Sequence, residues 1–266
     1  MKIQILHGIL TGSLLLLPAF LSPLPAQTFL SVDIGAGNNP AASTIQAGFA
    51  SIGIPTGATT GPIERTLAGL DTEFTATGTV VFTIASGNTL AGTGQFLTRD
   101  RGTPSTDSGS FTYSDIYRDT VLRTGSNANG ATATLGFSGL NANTLYEIRF
   151  FTYDNDASSS RTMTFTDWTT GVAGNTGSIT FTGGYIFTDT TDNHIFSTTI
   201  TATTDASGKL LIRETPGGSY SALLNGFQLT HVSAAVPESA ATALMATGAV
   251  CLAILLYRRT AHTGKN

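Results

Sequence analysis

Residues 144–153 read Thr-Leu-Tyr-Glu-Ile-Arg-Phe-Phe-Thr-Tyr. This is the strongest strand pattern in the chain, dense in the Thr, Ile, Tyr and Phe residues that suit a pleated, half-buried surface. The approach to it, Gly139-Leu140-Asn141-Ala142-Asn143, is made of turn formers. Further runs of the same kind lie on both sides. Upstream, residues 29–34 (FLSVDI), 79–84 (TVVFTI) and 131–137 read as strands, and residues 115–122 as a strand or a helical turn. Downstream come residues 161–168, 177–182, 195–203, 209–214 and 223–230, with Ser207-Gly208 and Pro216-Gly217-Gly218 marking turns. Residues 36–72 have little pattern and are expected to form a long loop or irregular edge strands. No stretch of helical periodicity occurs between residues 27 and 235. Eight to ten short strands at this spacing predict an all-β, jelly-roll-type sandwich. No linker marks a boundary, so residues 27–235 are expected to be one β-sandwich domain.

The composition agrees. Residues 27–235 hold sixteen acidic residues against nine basic ones, Lys209 and eight arginines, a formal charge of −7. That balance excludes a nucleic-acid binder, which needs clustered positive charge. It suits solubility outside a cell. The one cysteine, Cys251, lies in an apolar run near the end of the chain and reads as a small apolar residue there. The domain therefore holds together without a disulfide.

Three segments carry resemblances. The run from Gly139-Leu140 to Tyr146, with Ile148 and Phe150 beyond it, resembles the approach to a sandwich strand in fibronectin-type modules. The stretch Asp205-Ala206-Ser207-Gly208-Lys209-Leu210, continued by Leu224-Asn225-Gly226-Phe227-Gln228-Leu229, resembles the last two strands of galactose-binding-like and malectin-like jelly rolls. Val32-Asp33-Ile34-Gly35 resembles their first strand. These likenesses imply a sandwich ectodomain and transfer no binding residues.

Several groups of residues are candidates for chemistry. Asp154, Asn155 and Asp156 follow the strongest strand, and hard oxygen donors at that spacing suit Ca²⁺; a solvated polar loop is the alternative. Asp189, Asp192 and Asn193 form a similar loop. Trp168, Tyr185 and Phe187 are candidate glycan contacts, because sugars stack an apolar face on aromatic rings; on strands such residues equally serve the core. Arg99-Asp100-Arg101-Gly102 and Asp115-Ile116-Tyr117-Arg118-Asp119 are dense in charge for so uncharged a chain. They suit either an acidic glycan held through arginines or arginine–aspartate pairs that order a loop. His194 and His231 are the only histidines in residues 27–235, and no nucleophile elbow, His-Glu-x-x-His pair or phosphate loop is present. A non-catalytic role is expected.

The two ends read as addresses. Residues 1–26 carry Lys2, an apolar stretch over 9–21 and the small-residue segment Pro25-Ala26, the pattern of a secretory signal peptide. At the other end, residues 240–257 are 18 uncharged residues, about 27 Å as a helix and enough for a bilayer core of about 30 Å. Arg258 and Arg259 follow, a basic stop that favours the cytoplasmic side. An ordinary C-terminal transmembrane anchor is one reading. The order Val236-Pro237-Glu238, apolar span, Arg258-Arg259 resembles the PEP-CTERM sorting signal of Gram-negative bacteria, with Ser239 where that family has a second proline. The resemblance covers residues 236–260, with residues 261–266 as a cytoplasmic tail. It implies an exosortase-like processing enzyme as a partner.

The expectation is an exported protein, first anchored in the inner membrane and then sorted to the envelope or outer surface. There it would serve as a non-catalytic matrix component, with extracellular polysaccharide as a partner. A structural or adhesive sandwich without a small ligand is the alternative, and a glycan-active hydrolase a third.

Overall fold

A computed structural model describes residues 29–36, 45–54, 59–60, 62–71, 74–75, 77–92, 94–101, 107–124 and 131–232. The signal peptide expected over 1–26, Cys251, the residues Val236, Pro237, Glu238, Arg258 and Arg259, and the expected helix over 240–257 lie outside them. Contacts divide the chain after His231, and the fold below is that of the first unit.

Among the described residues every regular element is a strand. The chain runs β1 (Phe29–Ala36), β2 (Ala50–Ile54), β3 (Thr59–Thr60), β4 (Ile63–Ala68) and β5 (Thr79–Ser86). It continues through β6 (Gln95–Asp100), β7 (Asp119–Thr124), β8 (Ala133–Ser138), β9 (Leu145–Phe151) and β10 (Arg161–Asp167). β11 (Thr176–Phe181), β12 (Ser197–Thr203), β13 (Leu210–Pro216), β14 (Leu223–Leu224) and β15 (Gly226–His231) complete it. One sheet has the order β12-β9-β15-β1-β2, a second β11-β10-β13-β8-β5-β4, and a third β14-β7-β6-β3.

β9 shows why the pattern over 144–153 matters. Tyr146, Ile148 and Phe150 alternate along it and are fully buried, while Glu147 and Arg149 between them are only partly covered. The strand lies between β12 and β15, with Ile148 opposite both Ile200 and Leu229. Its inward face meets the second sheet. Phe150 stacks on Phe165 of β10 with centroids 4.2 Å apart, and Phe227 of β15 packs on Phe82 of β5 and Phe137 of β8. Aromatic pairs of this kind add about 0.5–1.5 kcal/mol each beyond the area they bury. Two sheets closed face to face on such a core make a β-sandwich.

The Gly139-to-Tyr146 segment has a structural purpose. The Tyr146 hydroxyl donates to the Phe74 carbonyl at 2.6 Å and accepts from the Asn141 amide at 3.1 Å, pinning the approach turn to the strand. Gly139 adopts φ +88°, and a Cβ there would lie 2.3 Å from the Thr79 carbonyl oxygen. Only glycine fits that crossing.

Residues 36–72 contribute β2, β3 and β4, each at the edge of its sheet as the edge-strand reading expected, and β2 pairs with β1 in parallel. Two features depart from expectation. Residues 95–100 form β6, so Arg99 and Asp100 of the charged Arg99–Gly102 cluster end a strand and do not lie in a loop. Residues 114–118 are turn and the strand starts at Asp119. The third sheet packs against β1 through β6 and β7, and it carries the site described next.

Candidate functional site

A cleft of about 420 Å³ lies between β6 and β7 on one side and the loop that precedes β14 on the other. Its apolar part comes from β6 and β7, where Leu97 and Leu122 stand directly opposite one another. Two residues further along β6 the alternation brings Arg99 to the same face, and the chain leaves the strand at Arg101. The opposite wall is Ser219, Tyr220 and Ser221. That loop follows Gly218, whose φ of +71° turns the chain after β13. It is held by backbone bonds: the Ala131 amide donates to the Tyr220 carbonyl at 3.0 Å, and the Ala222 amide to Ala131 at 2.8 Å.

At the end of the cleft lies Asp154, its side chain wholly buried. Asn225 fixes the segment leading to it. The Asn225 Oδ1 accepts the Tyr153 amide at 2.6 Å, and its Nδ2 donates to the Asp119 carbonyl at 2.6 Å. The Thr152 hydroxyl donates to the Leu223 carbonyl at 2.8 Å. Asp154 is then met by two guanidinium groups. Arg101 Nε lies 3.0 Å from Oδ1, and Arg161 Nη1, from the start of β10, lies 2.9 Å from Oδ2. Arg101 also reaches the exposed Asp156 at 2.6 Å. A buried carboxylate is tolerated only with such partners.

Arg161 sits with its Cζ 5.4 Å from the centroid of the Tyr220 ring, and the Tyr220 hydroxyl is 2.8 Å from Ser159 Oγ. Arg123 borders the cleft with its Nε donated to Ser86 Oγ at 3.0 Å. Arg99 is exposed and makes no ion pair with a described residue. Four of the eight arginines of residues 27–235 thus border one cleft.

The sequence candidates fall into place unevenly. Asp154, Asn155 and Asp156 do come together, but as partners of arginine and not as a free oxygen cage. Guanidinium groups occupy both Asp154 oxygens, and Asn155 Oδ1 accepts the Tyr153 hydroxyl at 3.1 Å. A cation here would have to displace two like charges, so the donor set does not fit the Ca²⁺ suggested by loop composition. Among the described residues no group of three or more His, Cys, Asp or Glu side chains is placed to hold a metal.

Asp189, Asp192 and Asn193 fasten a loop. The Asp189 carbonyl accepts from the Ser110 amide and hydroxyl, Asp192 accepts the His194 amide at 2.9 Å, and Asn193 accepts the Thr112 amide at 2.7 Å. Arg118 is paired with Asp100 through two hydrogen bonds of 3.0 and 2.8 Å, as the arginine–aspartate reading expected. Arg101 pairs outside the cluster, with Asp154 and Asp156, and Arg99 turns to the cleft.

The aromatic candidates do not form one platform. Phe187 is buried against Phe111 and Tyr117. Tyr185 stands edge-on to Phe187 and Phe196, half-exposed, near the Arg161 end of β10 where Phe181 pairs with that arginine. Trp168 follows the far end of β10, and the Arg213 guanidinium covers its ring at 3.6 Å. Sequence reading missed Tyr220 and the serines beside it, whose Gly-rich surroundings look like plain turn. The two histidines lie at opposite ends of β9: His194 packs edge-on to Tyr113, and His231 against Tyr146. Burial and then Arg149 lower the His194 pKa, against the opposing pull of Asp192.

No family model matches the chain, and no curated protein matches it. Solved structures do. A family 35 carbohydrate-binding module from Clostridium thermocellum is 16% identical, with 52% of this chain and 92% of that one covered and a TM-score of 0.28. CBM35 from Cellvibrio japonicus Abf62 is 14% identical, with coverages of 58% and 94% and a TM-score of 0.29. The CBM22-1–GH10 modules of Clostridium thermocellum xylanase 10B, complexed with xylohexaose, are 7% identical, with coverages of 53% and 27% and a TM-score of 0.30. At such scores these likenesses assign no role to any residue of this chain.

Proposed function

We propose that the protein is an exported, surface-sorted and non-catalytic component of a bacterial envelope or extracellular matrix, whose jelly-roll-type sandwich binds carbohydrate in the arginine-bordered cleft. The observation that carries this reading is the make-up of that cleft. Leu97 and Leu122 offer an apolar surface for the C–H face of a sugar ring, and Tyr220 adds an aromatic one. Ser219, Ser221 and the guanidinium groups supply hydrogen bonds for hydroxyls. A cleft of about 420 Å³ is within the ordinary range for a small-ligand site. The export part rests on the two ends of the sequence: a leader over 1–26, then the order Val236-Pro237-Glu238, apolar span, Arg258-Arg259, read by an exosortase-like enzyme.

The test is a glycan array probed with the full chain in detergent, beside the Tyr220→Ala variant. Binding to at least one glycan, weakened about tenfold or more in the variant, is the expected result. An array without binding would overturn the reading. A structural or adhesive surface protein is the second reading, favoured by the apolar tip at Tyr185 and Ile186, the latter 80% exposed. On that reading Ile186→Asp would reduce surface attachment and Tyr220→Ala would not.

A further inference from the structure

The cleft is far from electrically neutral, although the chain around it is acidic. Arg99, Arg101, Arg123 and Arg161 border it, against the single lining carboxylate of Asp154. That carboxylate is fully buried and already held by Arg101 and Arg161. Asp156 approaches Arg101 but does not line the cleft. The positive charge therefore exceeds the negative within a space narrower than about two Debye lengths at physiological salt, so it acts as one patch. A neutral sugar needs hydrogen-bond donors and acceptors but no such excess.

The donors are also of the type that anions select. A guanidinium presents paired N–H groups that match the oxygens of a carboxylate or sulfate. Arg161 spends Nη1 on Asp154 and sets its guanidinium beside the Tyr220 ring of the cleft wall. Arg99 is exposed at the mouth and makes no ion pair with a described residue. Asp154 thus serves as an internal counter-ion that orients Arg101 and Arg161 toward the cleft.

We infer that the cleft takes an acidic glycan, one whose sugars carry carboxylate or sulfate groups, with Arg99, Arg101 and Arg161 reading the anionic substituent and Leu97, Leu122 and Tyr220 the sugar ring. This rests on the carbohydrate-binding reading above and names the class of sugar. An acidic polysaccharide would be repelled by this acidic domain except at such a patch.

The experiment is a titration of the full chain in detergent with polygalacturonate, a sulfated galactan and a neutral galactan, each at low and high NaCl. One or both acidic polymers are expected to bind at least tenfold more tightly than the neutral one, and to weaken steeply with salt. Which of the two wins separates a carboxylate reader from a sulfate reader. Arg99→Gln should weaken that binding about tenfold, the loss of one charged hydrogen bond, and Arg99→Glu should weaken it more. Both variants are exposed changes that leave the fold intact, which unchanged circular dichroism would verify. Equal or tighter binding of the neutral galactan, or acidic binding indifferent to Arg99, would overturn the inference while leaving a carbohydrate-binding protein. Binding on the glycan array with none to either acidic polymer would do the same. An array without any binding would instead overturn the parent reading.

Discussion

Asp154 and Arg161 are seven residues apart in sequence and 2.9 Å apart in space, the aspartate wholly buried and the arginine reaching it from the first position of β10. Arg101 completes the group, so one carboxylate ties the end of β9 to the exit of β6 and the start of β10. Removing its charge would leave Arg161 without a counter-ion among the described residues and Arg101 with only the exposed Asp156. Asp154→Asn is therefore expected to cost about 2–4 kcal/mol. In thermal denaturation that is a fall of several degrees, at about 2–4 °C per kcal/mol for a domain of this size. A midpoint within one or two degrees of the parent would show the ion pairs to be dispensable.

Glu214 makes the stability of the sandwich depend on pH. It lies in β13 between Phe165 and Ala133, is buried, and accepts the Leu223 amide at 2.6 Å. Burial raises its pKa from 4.5 to about 8, and burial likewise raises that of Asp33 to about 7, with Asp119 and Asp115 adding to it. A carboxyl whose folded pKa lies above its unfolded value favours the folded state fully at low pH. That contribution falls as the unfolded chain ionises and is gone once pH passes the folded value. Stability is thus expected to decline between about pH 4.5 and 8, by a few kcal/mol. Glu214→Gln keeps the acceptor for Leu223 and should flatten that slope. Urea titrations of both proteins at pH 5, 6.5 and 8 measure it; parallel slopes would contradict the assignment.

Trp168 is expected to be structural. Its ring is capped by the Arg213 guanidinium, an interaction of about 0.5–2 kcal/mol. Trp168→Ala should lower the unfolding midpoint modestly and leave glycan affinity within twofold of the parent. Loss of affinity with an unchanged midpoint would move the site to the Trp168 end of β10.

Deleting residues 236–266 is expected to change where the protein resides. Fractionation of cells expressing the truncated chain should find it released from the envelope; an unchanged distribution would remove the sorting role from Val236-Pro237-Glu238 and the residues that follow.

Legibility from sequence varied with the source of each feature. β9 and β5 were plain because their periodicity and residue types are local. β6 was not: Arg99 and Asp100 sit at its end, and a strand that turns charge outward over its last two positions looks like a loop. β2 to β4 were legible only as edge strands or a long loop, because the Gly, Thr and Pro around them blur their bounds. The fate of Asp154 was beyond local reading altogether. Its loop has the composition of a cation site, yet its partner Arg101 lies 53 residues away, and only the fold brings it within 3.0 Å. Tyr220 was missed for the opposite reason, since nothing in Gly217-Gly218-Ser219-Tyr220 distinguishes a cleft wall from an ordinary turn.

The most direct measurement is a crystal structure of the protein soaked with whichever glycan binds best on the array. Sugar density between Leu97, Tyr220 and Arg161, with an anionic group toward Arg99 or Arg101, is the expected result. Density over Trp168, at the Tyr185–Ile186 tip, or anywhere else with the cleft unoccupied would contradict the assignment of the site.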